Sequence, residues 1–99
     1  MGRLSADFSA AFSRDLKKVA KRQRKNISEL DEVIELVLEN TDESKAILKQ
    51  RHNMHALVGK WSGHNECHVA NAGDWLLIWS SNDKVALFER TGSHDDLFR

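Results

Sequence analysis

The sequence predicts an α+β domain in which an N-terminal strand and a helical hairpin precede three or four mostly antiparallel strands. Three observations predict it. Apolar residues recur at helical spacing through residues 10–38: Phe12, Leu16, Val19 and Ala20, then Ile27, Leu30, Val33, Ile34, Val37 and Leu38. Residues 75–79, Trp-Leu-Leu-Ile-Trp, are apolar without alternation, as in a central strand buried on both faces. After a turn at 80–83 the chain alternates, with Val85, Leu87 and Glu89 on one face and Ala86, Phe88 and Arg90 on the other. These two runs form a hairpin pattern. Helices on one side and sheet on the other make a two-layer domain, and 99 residues suffice for one, spanning 1–99.

In chain order, residues 3–8 read as a short strand. Ser9 is a plausible N-cap for a helix over 10–24. Asn26 restarts the pattern, with Glu29 three residues on as a capping-box signal. The short break favours an antiparallel pair of helices. Residues 40–53 read as a connection with a helical turn near 46–48. Residues 54–57 read as a short strand. Gly59 and Gly63 bracket Trp61 and turn the chain twice. Residues 64–70 form another strand, with His64, Glu66 and His68 on one face and Cys67 and Val69 on the other. At the end of the hairpin, Thr91-Gly92 breaks the pattern. His94 follows, just before a short apolar close at Leu97-Phe98.

Formal charge is zero but unevenly placed. Residues 1–25 hold eight Lys/Arg against two acids, or +6, while residues 26–50 hold two Lys against seven acids, or −5. Such asymmetry points one face at a polyanion or an acidic partner. A single cysteine, Cys67, excludes an internal disulfide and suits the cytoplasm. No signal-like run follows Met1, and no stretch nears the roughly 18 apolar residues of a membrane span. Repeats and low-complexity segments are lacking.

Five histidines, His52, His55, His64, His68 and His94, all follow the helices. Zinc is disfavoured: Cys67 falls on the opposite strand face from His64 and His68, and neither Cys-x-x-Cys nor His-Glu-x-x-His occurs. Cys67 is expected to be a small core residue rather than a nucleophile. No glycine-rich phosphate loop is present. Acid–base chemistry on RNA fits these residue types better. RNA carries its own nucleophile, so imidazoles and carboxylates need only move protons. His55, His68, Asp74 and His94 are suitable groups. Arg90 is a candidate cation for the phosphate, and Trp75 or Phe98 a candidate platform for a base.

Several segments together resemble a known family. They are His55-Ala56-Leu57-Val58-Gly59-Lys60-Trp61, Glu66-Cys67-His68-Val69, Asp74-Trp75-Leu76-Leu77-Ile78-Trp79, and Phe88-Glu89-Arg90-Thr91-Gly92-Ser93-His94 with Leu97-Phe98. The combination is similar to the YafQ group of the RelE-type toxins of bacterial toxin–antitoxin pairs. That resemblance implies a RelE-like microbial RNase fold, with helices packed on a small, curved, mostly antiparallel sheet. It also implies an mRNA endoribonuclease that works in the ribosomal A site without a metal or other cofactor. By the same resemblance His55, His68, Asp74 and His94 would be the active-site group, and Phe98 would position the message. Lys17, Lys18, Lys21 and Arg22 would meet ribosomal RNA phosphates. The implied partners are a cognate antitoxin, the ribosome and mRNA, with operator DNA reached only through the antitoxin and no membrane.

Two features depart from the pattern: members of the group are usually basic, and residues 69–73 make a longer segment between His68 and Asp74. The runner-up is a catalytically silent member that binds its antitoxin and acts only in operon autoregulation. A third reading is a small α+β binding module with incidental histidines. His52 and His64 fall outside the expected site, and their removal is expected to be silent.

Overall fold

The structure, a computed structural model, describes residues 2–21, 26–70 and 74–98. The elements run β1 (Ser5–Phe8), α1 (Ala10–Lys21), α2 (Ile27–Glu39), α3 (Asp42–His52), β2 (His55–Ala56), a 3-10 turn (Gly59–Trp61), β3 (Asn65–His68), β4 (Leu76–Ser81), β5 (Val85–Gly92) and α4 (His94–Phe98). The five strands form one sheet in the order β1-β5-β4-β3-β2. β1 runs parallel to β5, and every other neighbouring pair is antiparallel. This is the expected α+β arrangement, with the helices on a small, mostly antiparallel sheet.

The predicted central strand is central. Residues 75–79 are all buried, with β4 between β3 and β5. Leu77 and Trp79 face the helices and join Phe12, Val19, Leu30, Val33, Leu48, Cys67 and Phe88 in the main core. Leu76 and Ile78 point the other way and meet Leu97, Leu57 and Trp61. Both faces of β4 are therefore covered, which is why its apolar residues do not alternate.

Ser9 links β1 to α1. Its hydroxyl accepts from the Phe12 N–H at 2.9 Å and donates to the Glu89 carbonyl at 2.7 Å. Between β4 and β5 the register shifts: Ile78 lies opposite Arg90 and Trp79 opposite Phe88, so Glu89 is an extra residue. Such a bulge twists the strand and re-aims side chains beside it. The hairpin turn falls slightly later than 80–83, because β4 continues to Ser81 and the Asn82 side chain accepts from the N–H groups of Lys84 and Val85.

The connection expected over 40–53 is instead the eleven-residue helix α3. It starts with a reciprocal cap of two hydroxyls, Thr41 and Ser44, rather than a Ser/Thr paired with Glu/Gln. Left-handed asparagines, Asn40 and Asn53, bound it on either side. Of its apolar residues only Leu48 is fully buried, so it carries a weak stripe. The apolar close at 97–98 belongs to α4, which adds a short helix after β5. The first helix is described to Lys21, and the rest of its expected span, 22–24, lies outside the described residues. No helix among the described residues is long and apolar enough to cross a membrane.

Candidate active site

β3, β4, β5 and α4 bring three of the four expected active-site residues together. β5 ends at Gly92, and Ser93 leads into α4, whose first residue is His94. Asp74 lies just before β4, beside that turn. Its carboxylate accepts from the His94 backbone N–H at 3.0 and 3.1 Å and from His94 Nδ1 at 2.5 Å. This network places the His94 proton on Nδ1 and, among the described residues, leaves Nε2 without a partner and able to exchange one. Both side chains are about half exposed, His94 at 55% and Asp74 at 50%. Desolvation pulls the Asp74 carboxyl upward. The two hydrogen bonds from His94, with charge on His94 and His68, outweigh it and hold the group below its ordinary value.

His68 ends β3 opposite Leu76, and its ring lies 6.2 Å from that of His94. His68 is also near enough to Asp74 for its charge to help lower that carboxyl, so both stand with His94. The His68 carbonyl accepts from His52 Nδ1 at 2.8 Å, which ties the end of α3 to β3. A recess of about 210 Å³, lined by Arg51, His52, Asn53, His68 and Ala70, opens beside it.

His55 sits on β2, paired with Glu66, so it shares the sheet face of Glu66 and His68. Cross-strand diagonals of this kind are roughly 7–8 Å. His55 Nδ1 bonds the Asn53 carbonyl at 2.9 Å, and Nε2 stands 3.4 Å from the buried carboxylate of Glu66. Glu66 was missed by sequence reasoning, although strand alternation already placed it between His64 and His68.

A wall of rings closes one side. Phe98, 42% exposed, lies 6.1 Å from His94 and 6.4 Å from Trp61, which meets His64 edge-on at 5.2 Å. Trp61 is part of this wall, and Gly59 and Gly63, both at positive φ, place it there.

Other expected residues lie elsewhere or are already engaged. Trp75 cannot stack on a base: it is 2% exposed in the main core, and its Nε1 donates to Thr91 Oγ1 at 2.9 Å. Its position at the mouth of a strand covered on both faces decides this. Arg90 is no free cation, since Nε and Nη2 donate to Asp15 of α1 at 2.7 and 3.1 Å. That hydrogen-bonded pairing, set against partial burial, raises the guanidinium further above its ordinary value. Lys18 bonds Asp96 at 2.7 Å, whereas Lys17 and Lys21 are exposed on α1. Arg22 lies outside the described residues. Burial, with Glu66 beside it, pushes the Cys67 thiol far up, so a thiolate nucleophile is not available there. His64 is more engaged than expected: Nε2 bonds Glu89 at 2.9 Å and Nδ1 bonds the Trp61 carbonyl at 3.2 Å.

Against known proteins, the family model described as the bacterial toxin of type II toxin–antitoxin systems, YafQ, matches residues 4–99. The chain belongs to the YafQ family. The mRNA interferase toxin YafQ of Escherichia coli K12 is 36% identical over 92 residues, covering 93% of this chain and 92% of the relative. The crystal structure of YafQ from E. coli BL21(DE3) superposes with a TM-score of 0.79 at 33% identity, covering 98% of this chain and 100% of that one. The toxin chain of the E. coli DinJ–YafQ toxin–antitoxin complex gives a TM-score of 0.78 at 31% identity, over 98% and 99% of the two chains. YafQ-family membership thus rests on sequence and fold together.

Proposed function

We propose that this chain is an mRNA endoribonuclease that cuts the message in the ribosomal A site and so arrests translation. The observation that carries the proposal is the His94 ring, held by Asp74 through Nδ1 with Nε2 left free, 6.2 Å from a second imidazole. Two such groups on an exposed rim suffice for transesterification. A base takes the proton of the 2′-hydroxyl, the oxygen attacks the adjacent phosphorus, and the bond to the 5′-oxygen breaks. An acid protonates that oxygen, which leaves a 2′,3′-cyclic phosphate and a 5′-hydroxyl.

The residues divide as follows. Asp74 stays ionised and already accepts both the backbone N–H and the Nδ1–H of His94, so it orients and charges that ring rather than exchanging protons with RNA. His94 is a proton-transfer group. His68 and His55, on the same sheet face, supply the other, and Phe98 stacks against a base of the message. Lys17 and Lys21 meet ribosomal RNA phosphates. The E. coli relative is solved as a complex with the antitoxin DinJ. By analogy this chain is held inactive by an antitoxin of its own, whose disordered segment folds on it, and it reaches operator DNA only through that partner.

The test is cleavage of a defined message on programmed ribosomes. Cutting is expected to persist in EDTA and to yield the cyclic phosphate or its 3′-phosphate opening product. Loss of cutting in EDTA with ribosomes intact, restored by zinc, would assign the histidines to a metal instead.

A further inference from the structure

We propose that Asp96, held in place by Lys18, is a positioning residue for His94. The inference rests on the reading of His94 as a proton-transfer group. Asp96 and Ser93 cap α4 reciprocally: the Ser93 N–H donates to Asp96 Oδ2 at 3.2 Å, and the Asp96 N–H donates to Ser93 Oγ at 3.1 Å. The Leu97 N–H donates to the Ser93 carbonyl at 3.1 Å and closes the turn. His94 is the first of the two residues inside this box, so its backbone is fixed from one side by the box and from the other by Asp74.

The approach of Asp96 is close. A Cβ on Gly92 would stand 3.2 Å from Asp96 Oδ2 and 3.3 Å from Asp96 Cβ, and Gly92 holds φ +151°. Glycine at 92 is thus what lets the carboxylate reach back over the end of β5.

The other oxygen, Oδ1, accepts from Lys18 Nζ at 2.7 Å. Lys18 lies one helical turn from Asp15, which bonds Arg90 and the Thr91 N–H. Two ion pairs from one face of α1 therefore brace the end of β5 and the start of α4. A five-residue helix has little stability of its own, so this bracing sets where His94 stands. It also assigns Lys18 to the site's scaffold, so that of the α1 lysines Lys17 and Lys21 are the ones offered to phosphate.

The test compares Asp96→Ala, Lys18→Met, His94→Ala and their pairs in single-turnover cleavage on programmed ribosomes, with amide hydrogen exchange on the free protein. Asp96→Ala is expected to lower the maximal rate about tenfold at an unchanged half-saturating concentration. Ser93 and His94 amides should exchange faster, while those of Ile78 and Phe88 should not. Lys18→Met should reduce the maximal rate less, and by nothing further once Asp96 is gone. In the His94→Ala background, Asp96→Ala should cost nothing more. An Asp96→Ala protein with a wild-type rate and unchanged exchange, beside an inactive His94→Ala, overturns the positioning role alone. An equal cost of Asp96→Ala with and without His94, or faster exchange throughout the sheet, also overturns it by showing a general structural role. Wild-type cleavage by His94→Ala removes the reading of His94 and this proposal with it.

Discussion

Two histidine–carboxylate pairs stand at the two ends of the same ring wall, and they differ in what remains free. His94 bonds Asp74 through Nδ1, with both side chains at least half exposed. His64 bonds Glu89 through Nε2 and the Trp61 carbonyl through Nδ1, with side chains only 21% and 27% exposed. The first pair holds a ring by one nitrogen and leaves the other for chemistry. The second spends both nitrogens on the protein, pinning the Trp61 turn to the bulged strand at Glu89. A histidine beside a carboxylate is thus not a catalytic signature by itself; an unspent nitrogen at an accessible rim is what separates the two.

The largest effect should come from His94→Ala, which is expected to slow message cleavage by about 10²–10⁴-fold. Its melting temperature should stay within a few degrees of wild type, because the side chain fills no core space and Asp74 can rehydrate. Growth arrest on induction, cleavage on programmed ribosomes and a thermal melt check this together. A strongly destabilised variant would make the first pair structural, like the second.

Asp74→Asn should come next, at about 10–100-fold, as for carboxylates that orient other functional histidines. The amide can still accept the backbone N–H of His94, so the fold is expected to hold. The lost charge and the altered partner for Nδ1 should appear as a changed pH dependence of the maximal rate. Phe98→Ala should be milder, about tenfold, as expected for loss of one stacking platform. Fluorescence of Trp61 would check that the remaining wall stays packed.

Much of this was legible in the sequence, for identifiable reasons. The two helices and the hairpin carry strong periodicities, and Trp75 to Trp79 advertise a strand covered on both faces. That same observation argues against Trp75 as an exposed stacking residue, and the structure places it in the core. α3 was not legible because its cap is a pair of hydroxyls and Leu48 is its only buried apolar side chain. His55, His68, Asp74 and His94 were the right residue types, but the spacing of histidines alone did not select three from five; the family resemblance did. The partnerships of Asp15 with Arg90, Lys18 with Asp96 and His64 with Glu89 join residues far apart in the chain. No local pattern encodes such pairings; they follow from how α1 crosses β5 and from the bulge at Glu89.

The smallest effect on cleavage, and the sharpest test of the comparison, belongs to His64→Gln. The sequence suggested that His64 could be removed silently, and the structure revises this for stability alone. The hydrogen bond to Glu89, against some desolvation, raises the His64 pKa, helped by the Ser62 and Trp61 backbone and the charge of Glu89. A raised folded-state value means the protonated ring stabilises the fold. That contribution is complete below the unfolded value of about 6.5 and fades as pH rises through the folded value. A partly buried charged hydrogen bond of this kind is worth about 1 kcal/mol or somewhat more. His64→Gln should therefore melt about 4–8 °C lower at pH 6. The gap should narrow at pH 9, where the neutral ring has one N–H for two acceptors. Cleavage at saturating protein should stay near wild type throughout. A large loss of cleavage in a well-folded His64→Gln protein would place the second pair in the chemistry and erase the distinction between the two.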